Sequence, residues 1–417
     1  MEKVILVGIN TIKYKNTFND ALNECIGLAE ACDYEVVLTM SQNMEYADRH
    51  TCVGSGKLVE IAEQCEILEA DKVLFLNHLS ASQISNINEA CGVDIIDRTG
   101  LILEIFAKRA KTKEAQIQVE MARLKYELPR LVMQDTSNDQ QRGGSGVKNK
   151  GKGETKLELN RRDIERRISQ LKKELVSLEI QTQIQKQQRL KSNLPMVALV
   201  GYTNAGKSSL MNRILQKNTK DEEKLVMEKD MLFATLDTSV RNVKFNSKKD
   251  FLLFDTVGFV SDLPSELIEA FKSTLSAAKE ASVLLHVIDC SNEQYEMQVD
   301  ATNDTLRRID ANEIPVIKVY NKMDCVSVKD KTDGIYVSCK TGEGIIELLD
   351  QIETLLYPKD ITIECLIPYS DLAIIQYLKQ NSTVEFIKDG EVGKHISVTC
   401  SNEIVSKIMK YQIRGEK

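Results

Sequence analysis

The eight residues from Gly201 to Ser208 constrain the fold of this chain most strongly. They read Gly-Tyr-Thr-Asn-Ala-Gly-Lys-Ser and directly follow the apolar run Met196–Val200, which predicts a strand. Glycines let the backbone turn tightly so that its N–H groups converge on an anion, and the N-terminus of the next helix adds a favourable dipole. The pattern is typical of a phosphate-binding P-loop, in which Lys207 would reach the β- and γ-phosphates and the Ser208 hydroxyl would bind magnesium.

A second motif follows a second apolar strand. Asp255-Thr-Val-Gly258 comes after Phe251–Phe254. An acid at a strand end can hold magnesium, and the Gly258 N–H can sense the γ-phosphate. Thr235 lies between the two motifs and suits a switch threonine on magnesium. Phe259 stands where many GTPases carry a glutamine that orients the attacking water, so we predict slow intrinsic hydrolysis.

A third and a fourth motif select the base. Asn321-Lys-Met-Asp324 follows the strand Val316–Tyr320, and its aspartate can accept two hydrogen bonds from guanine N1 and N2. Adenine lacks that donor pair, so the motif predicts GTP rather than ATP, and a missing buried partner costs about 1–3 kcal/mol. Ser338-Cys-Lys340 follows the last strand of the domain and fits the loop behind the base.

Together these motifs predict a magnesium-dependent GTPase site that binds GTP and GDP. The predicted catalytic residues are Lys207, Thr235 and Gly258, and the predicted magnesium ligands are Ser208, Thr235 and Asp255. Asn204 is a candidate ligand for a potassium ion that would replace an arginine finger. The predicted nucleotide-binding residues are Gly201, Tyr202, Thr203, Asn204, Ala205, Gly206, Lys207, Ser208, Ser209, Asp255, Thr256, Val257, Gly258, Asn321, Lys322, Asp324, Ser338, Cys339 and Lys340.

The chain around this site is long enough for several domains. Its 417 residues suggest two to four of them, and alternating strands and helices predict an α/β fold. We expect a small parallel α/β domain over 1–97, a helical hairpin with a Gly-rich basic loop over 98–194, a P-loop GTPase domain over 195–357 and a small α+β domain over 358–417. The last domain carries no motif that translates into chemistry.

The helical segment is basic although the whole chain carries a net charge of −7. Residues 98–194 hold 22 Lys+Arg against 12 Asp+Glu. The spacing predicts one long helix over 99–134 that stops near Pro129, and a second from about Thr155 to Arg189. A basic segment on an acidic protein favours a polyanionic partner, and a solvated hairpin is the alternative.

The cysteines and the hydropathy of the sequence suggest a cytoplasmic protein without a zinc site, a disulfide framework or a membrane span. Ten scattered cysteines, with no Cys-x-x-Cys pair, suggest reduced thiols. No apolar run reaches 18 residues, so we expect no stable membrane insertion, with peripheral membrane association left open. Gly54-Ser-Gly-Lys57 resembles half a P-loop, but a turn that caps the following helix is the favoured interpretation.

Nearly the whole chain resembles the HflX family of bacterial GTPases. The similarity includes the Phe259 motif and several segments outside the GTPase motifs: Asp97-Arg-Thr99, Ile102–Ala107, Leu124–Leu131 with Tyr126 and Pro129-Arg130, Gly151–Thr155, Arg161-Arg162 and Leu263-Pro264. The resemblance implies a factor that binds the large ribosomal subunit, through its N-terminal and helical domains, and splits stalled or idle ribosomes.

The residues support an RNA partner independently of the resemblance. Residues 142–173 carry eleven Lys+Arg against four Asp+Glu, which suits contact with rRNA phosphates. The candidate ribosome-binding residues are Arg142, Lys148, Lys150, Lys152, Lys156, Arg161 and Arg162. We expect a monomer with no DNA partner. The alternatives are a regulatory GTPase switch that docks a protein, and an ATP-using RNA-remodelling activity in residues 1–97.

Overall fold

The computed structural model describes residues 1–14, 17–141, 159–178, 194–218, 233, 239–245, 250–260, 278–326, 333–357, 361–390, 392–400 and 402–413. The chain divides into two units, Met1–Ile345 and Ile346–Lys417. The predicted class, an α/β fold with a P-loop GTPase domain between an N-terminal parallel sheet and a C-terminal sheet, is confirmed.

The N-terminal sheet has four parallel strands in the order β2-β1-β3-β4. Its central strand β1 is apolar and fully buried from Val4 to Val7, because helices cover both faces of a parallel sheet. The elements in chain order are β1 (Glu2–Asn10), α1 (Phe18–Ala31), β2 (Tyr34–Asn43), α2 (Ser55–Leu68), β3 (Lys72–Phe75), α3 (Ala81–Cys91) and β4 (Asp94–Asp97).

The half P-loop in this domain is a helix start, as the favoured interpretation predicted. Gly54 is the N-cap of α2, and its N–H donates to Gln42 Oε1 at 2.9 Å. Lys57 pairs with Glu60 one turn further on, at 2.7 Å. The lysine is therefore engaged within its own helix.

Two helices follow the sheet, where the sequence predicted one. They are α4 (Arg98–Arg109) and α5 (Lys113–Gln141). The prediction of a continuous helix was wrong because Ala110 adopts extended backbone angles and ends α4. The Thr112 hydroxyl then accepts a hydrogen bond from Ala115 N at 3.2 Å, which caps the start of α5.

The predicted stop near Pro129 was also wrong, since α5 continues through this residue. An internal proline removes one helical hydrogen bond and costs about 3 kcal/mol. Arg130, the next residue, pairs with Asp97 at 3.0 Å and stacks on the Tyr126 ring at 3.2 Å. These contacts hold the helix against the sheet on both sides of the proline and offset its cost.

Asp97, at the end of β4, joins the sheet to α4 and α5. Its carboxylate is fully buried. Its donors are the N–H groups of Gly100 (2.9 Å) and Leu79 (3.1 Å), the Tyr126 hydroxyl, Arg130 Nη2 (3.0 Å) and His78 Nδ1 (3.1 Å). A Cβ on Gly100 would lie 2.7 Å from the Tyr126 oxygen, so only glycine leaves room for this bond.

A helix over residues 159–178, here α6, packs along α5. Leu171 contacts Ile117 and Met121 in a small apolar cluster, and Arg167 pairs with Glu120 at 2.8 Å. The predicted helical hairpin is therefore present over these residues. The other parts of the predicted second helix, and the Gly-rich loop, lie outside the described residues.

The GTPase domain has a six-stranded sheet in the order β10-β9-β8-β5-β7-β6, parallel except for the edge strand β6. Its elements are β5 (Met196–Gly201), α7 (Lys207–Asn218), β6 (Ser239–Lys244), β7 (Asp250–Asp255), β8 (Val283–Asp289), α8 (Tyr295–Arg308), β9 (Val316–Asn321) and β10 (Ile335–Tyr336). The next helix, α9 (Ile345–Leu356), begins at the boundary between the two units. The motif-bearing strands β5, β7 and β9 all end at the same edge, which is where ligands bind in open α/β sheets.

The C-terminal sheet is antiparallel, in the order β11-β13-β12. Its elements are β11 (Ile361–Pro368), α10 (Ala373–Asn381), β12 (Thr383–Asp389), β13 (Gly393–Cys400) and α11 (Asn402–Ile408). The strand–helix–strand–strand–helix order is an α+β arrangement. Alternating residues of β11 and β13, such as Cys365 and Val398, form the core of this unit.

We predict that Asp97→Asn lowers the free energy of unfolding by about 3 kcal/mol near neutral pH, because five donors lose a charged acceptor. Burial alone would raise the pKa of Asp97, but His78, Arg130 and the two N–H groups hold it below its ordinary value. The carboxylate therefore stabilises the fold above its unfolded-state pKa, and this contribution is lost as pH falls through the lower folded-state pKa.

Urea unfolding of wild type and Asp97→Asn at several pH values measures this effect. The unfolding free energies of the two proteins should begin to approach each other as pH falls below about 4, the ordinary pKa of an aspartate. They should become equal only below the lower folded-state pKa of Asp97. Asp94→Asn, an exposed residue of the same strand, is the matched control. Equal stabilities of Asp97→Asn and Asp94→Asn near neutral pH would contradict the prediction.

Candidate functional site

The P-loop connects β5 to α7 through three residues with positive φ, namely Gly201 (146°), Asn204 (60°) and Gly206 (92°). A Cβ on Gly201 would lie 2.2 Å from the Val287 carbonyl oxygen, and one on Gly206 would lie 2.2 Å from Asn321 Nδ2. Both positions therefore demand glycine on grounds of space as well as backbone angle. The spacing of the predicted motif follows from these two close approaches.

Lys207, the first residue of α7, is buried, with 6% of its surface exposed. Its ammonium donates to the carbonyl oxygens of Gly201 (3.0 Å) and Tyr202 (2.7 Å), so it lies inside the loop. Burial lowers the pKa of Lys207 to about 8, although Asp255 opposes the shift. An anion in the loop would supply the countercharge that this buried ammonium needs.

Ser208 and Asp255 bring together the donor set of a magnesium site. The Ser208 hydroxyl donates to Asp255 Oδ2 at 2.6 Å, and Asp255 is fully buried at the end of β7. Magnesium prefers oxygen ligands and is commonly held by one or two protein groups together with phosphates. The hydroxyl and carboxylate oxygens therefore fit this ion.

The segment after Asp255 is hydrogen-bonded directly to the P-loop. Thr203 N donates to the Phe259 carbonyl at 2.7 Å, and Phe259 N donates to the Gly201 carbonyl at 3.1 Å. The Phe259 side chain is 1% exposed and belongs to the main hydrophobic core. It points into the protein, and its backbone is held on both sides.

A cavity of about 620 Å³ lies on the other side of the P-loop. Asp324 lines it as an exposed carboxylate that accepts a hydrogen bond from Ser338 Oγ at 2.7 Å, and this bond lowers its pKa. Asn321 acts differently, since its side chain donates to Ala205 O at 2.9 Å and accepts from Cys339 N at 3.2 Å. Asn321 thus ties the base-side loops to the P-loop.

Several predicted residues are placed elsewhere or lie outside the described residues. The residues that lie outside the described part of the chain are Thr235, Arg142, Lys148, Lys150, Lys152 and Lys156. Arg161 and Arg162 are exposed on α6, and Arg161 pairs with Glu165 at 3.0 Å. Remaining predicted residues of the P-loop and of the three downstream motifs come together at one edge of the sheet.

Two contacts at the site were not predicted from the sequence. Arg213, on α7, donates to the Lys340 carbonyl at 3.3 Å and so braces the loop behind the base. On the opposite side, the Tyr202 hydroxyl donates to Glu24 of α1, which also pairs with the buried Arg98 at 2.7 Å. A local sequence pattern could not predict either contact, because the two residues that form each one are more than 100 positions apart, at 127 for Arg213 and Lys340 and 178 for Tyr202 and Glu24.

The geometry defines a class of protein: a P-loop fold with an Asn-Lys-x-Asp loop at the base cavity is a GTPase. Family models agree along most of the chain. The model described as GTP-binding GTPase N-terminal matches residues 19–107, the GTP-binding GTPase Middle Region matches 109–189, and the 50S ribosome-binding GTPase matches 196–322.

Curated relatives identify the family. GTPase HflX of Caldanaerobacter subterraneus subsp. tengcongensis is 38% identical over 416 residues, covering 99% of this chain and 94% of the relative. GTPase HflX of Escherichia coli K12 is 39% identical over 360 residues, covering 84% and 82%. The chain therefore belongs to the HflX family of GTPases, and it hydrolyses GTP.

The chain also has partial structural similarity to solved GTP-binding proteins. The alignment with a GTP-binding protein from the archaeon Sulfolobus solfataricus in complex with GDP covers 85% of this chain and 99% of that protein, at 25% identity and a TM-score of 0.45.

In the part of the chain that the structure describes, no helix combines the length and the apolar character needed to cross a membrane.

We predict that GDP affinity falls as pH rises through about 8, because phosphates bind the charged form of Lys207. The dissociation constant should increase by about 8-fold between about pH 7.5 and about pH 9. Fluorescent GDP titrations measure it. Lys207→Ala should lose tight binding at every pH.

Lys207→Arg is the control for this pH series, because its guanidinium stays charged throughout. Any slope that remains in this variant belongs to the nucleotide or to another group. Identical slopes for wild type and Lys207→Arg would exclude Lys207 as the titrating residue.

Proposed function

We propose that residues 201–209 bind the phosphates of GTP and GDP, and that 321–324 with 338–340 bind the guanine base. The buried Lys207 ammonium inside a loop of converging backbone carries this proposal. In the nucleotide complex the β- and γ-phosphates would take over as its countercharges. Asp255, Thr256, Val257 and Gly258 would then lie at the γ-phosphate end, since they are adjacent to the P-loop.

Magnesium would be held by Ser208, Asp255 and Thr235, and it would neutralise charge between the β- and γ-phosphates. A potassium ion beside Asn204 is the second cation of the proposal. Asn204 is exposed at a positive φ and borders both the base cavity and the cleft on the far side of the loop. A cation there would stabilise the charge that develops on the phosphates during hydrolysis.

The Asp324 carboxylate would select guanine over other bases. We predict that Asp324→Asn weakens GDP binding by about 10-fold or more and improves xanthosine diphosphate binding, because the xanthine edge donates and accepts differently. Competition titrations with GDP, XDP and ADP measure the preference. Asp304→Asn, a surface residue of α8, is the control. Undiminished preference for GDP in Asp324→Asn would count against the assigned base contact.

We further propose that the protein binds the large ribosomal subunit and separates the subunits of stalled or idle ribosomes. The match of residues 196–322 to a 50S ribosome-binding GTPase supports the first part, and the basic helical segment supports an RNA contact. GTP would order the switches for binding, and hydrolysis would release the protein. The N-terminal and helical domains would make the contacts.

The ion pairs on α6 would not prevent its arginines from contacting RNA. Three arginines are engaged with acids: Arg161 with Glu165, Arg166 with Asp163, and Arg167 with Glu120. Exposed ion pairs contribute about 0–1 kcal/mol, so such arginines can exchange partners for phosphates at little cost. The contact set would be Arg161, Arg162 and the basic residues of the adjoining loop, Arg142, Lys148, Lys150, Lys152 and Lys156.

GTP hydrolysis with and without purified large subunits, in potassium and in sodium buffer, tests the ribosome proposal. We expect a slow basal rate that large subunits raise by about 10-fold or more, with a higher rate in potassium. Sucrose-gradient sedimentation of 70S ribosomes with the protein and GTP should show separated subunits. No stimulation and no separation, with nucleotide binding intact, would instead favour the regulatory switch that docks a protein.

A further inference from the structure

The Thr203 hydroxyl has no separate role in the proposed nucleotide site. The Thr203 side chain is 5% exposed, and its hydroxyl oxygen has no hydrogen-bond partner among the described residues. A buried hydroxyl without a partner costs about 1–3 kcal/mol. By contrast, the Thr256 hydroxyl donates to the Leu199 carbonyl at 2.6 Å, and the Ser208 hydroxyl donates to Asp255 Oδ2 at 2.6 Å. Thr203 is therefore the exception at this site.

Thr203 lies at the end of the loop that faces the γ-phosphate. A Cβ built on Gly258 would lie 2.7 Å from Thr203 Cγ2 and 3.0 Å from Lys207 Nζ. Gly258 is therefore packed closely against both Thr203 and Lys207. Because the Gly258 N–H and the Lys207 ammonium are both directed at the γ-phosphate in our proposal, the Thr203 side chain borders the same group.

Phe259 leaves the hydrolytic step without a side chain to place water. It occupies the position after Gly258, but its ring is buried in the core and its backbone is bonded to Gly201 and Thr203. Rotating the ring toward the nucleotide would expose a large apolar group, and the ring has neither the donor nor the acceptor that a glutamine side chain offers to water. A different residue must therefore contact the attacking water.

Thr203 also lines a cleft beside the P-loop. A cleft of about 780 Å³ borders the outer face of the loop and is lined by Tyr202, Thr203, Asn204 and Val260, among others. The attacking oxygen must approach phosphorus opposite the leaving β-phosphate oxygen. Thr203 therefore borders this cleft and is also packed against Gly258.

We propose that the Thr203 hydroxyl orients the attacking water, donating to a γ-phosphate oxygen and accepting from the water. A hydroxyl can fill both roles at once. The water oxygen forms a bond to the γ-phosphorus, and the bond from phosphorus to the bridging oxygen of GDP breaks. One water proton passes to a phosphate oxygen, so the products are GDP and inorganic phosphate while Thr203 keeps its own proton. The inference rests on the proposed nucleotide site.

Two substitutions separate the hydroxyl from the shape of the side chain. Thr203→Val replaces the hydroxyl with a methyl group of similar size, and Thr203→Ser keeps the hydroxyl. Single-turnover GTP hydrolysis should be slower by about 10-fold to 100-fold in Thr203→Val and within about threefold of wild type in Thr203→Ser. GDP affinity should stay within about twofold in both variants, because the loop would hold the phosphates of GDP through its backbone N–H groups, whereas the Thr203 hydroxyl would contact only the γ-phosphate and water.

Thr302→Val is the matched control. Thr302 is a buried threonine of α8 whose hydroxyl donates to Gln298 O at 2.8 Å within its own helix. It should hydrolyse GTP at the wild-type rate. Binding of GDP with aluminium fluoride, which mimics the transition state, gives a second readout, and this complex should be weakened only in Thr203→Val.

Three outcomes would overturn the inference: a wild-type hydrolysis rate in Thr203→Val, an equal loss of rate in Thr203→Ser, or a parallel loss of GDP affinity. The last would mark Thr203 as a binding or structural residue. Failure of the nucleotide site itself looks different, since GDP would then bind Lys207→Ala as tightly as wild type.

Discussion

The burial of one positive charge organises the GTPase site. Lys207 is almost inaccessible to water, and its described partners in the P-loop are neutral carbonyl oxygens. Such a charge is costly in the absence of an anion, which is why its pKa falls toward the physiological range. Two glycines of the enclosing loop, Gly201 and Gly206, approach Val287 and Asn321 too closely for any side chain, so the shape of the loop depends on them. Phosphate binding would relieve the desolvation cost, so the site is preorganised for an anion rather than assembled by it.

The outer face of the same loop is attached to the N-terminal domain. Tyr202 bonds to Glu24, which pairs with the buried Arg98, and Phe106 of α4 packs edge-on against Phe233 at 4.7 Å. The hydrophobic core is continuous from the first sheet to the GTPase sheet. Any rearrangement of the P-loop or of the chain before Thr235 must therefore be accommodated by α1 and α4. This physical connection gives nucleotide state a route to the domain that we propose contacts the ribosome.

This chain has Phe259 after Gly258, where many GTPases have a glutamine, and this difference changes which groups can assist hydrolysis. A buried aromatic ring stabilises the junction between the P-loop and the following segment, because Phe259 joins the main core. The same burial removes the side chain from catalysis. In our proposals, hydrolysis would depend on the Thr203 hydroxyl and a cation beside Asn204, together with whatever a partner adds. Slow basal turnover with stimulation by a large partner is the expected behaviour of such a site.

The sequence alone determined the class, the motifs and most strands of the GTPase domain, because these depend on local backbone demands. A few consecutive residues are enough to recognise the apolar run before each motif and the Asn-Lys-x-Asp order. The same is true of Gly201 and Gly206, whose positive φ angles require glycine. The tertiary structure decided the rest. Continuation of α5 through Pro129 depends on Arg130 meeting Asp97, 33 residues away, and the Tyr202–Glu24 bond joins residues 178 positions apart. Such contacts arise only when two faces pack together, and no local pattern encodes which side chains then become neighbours.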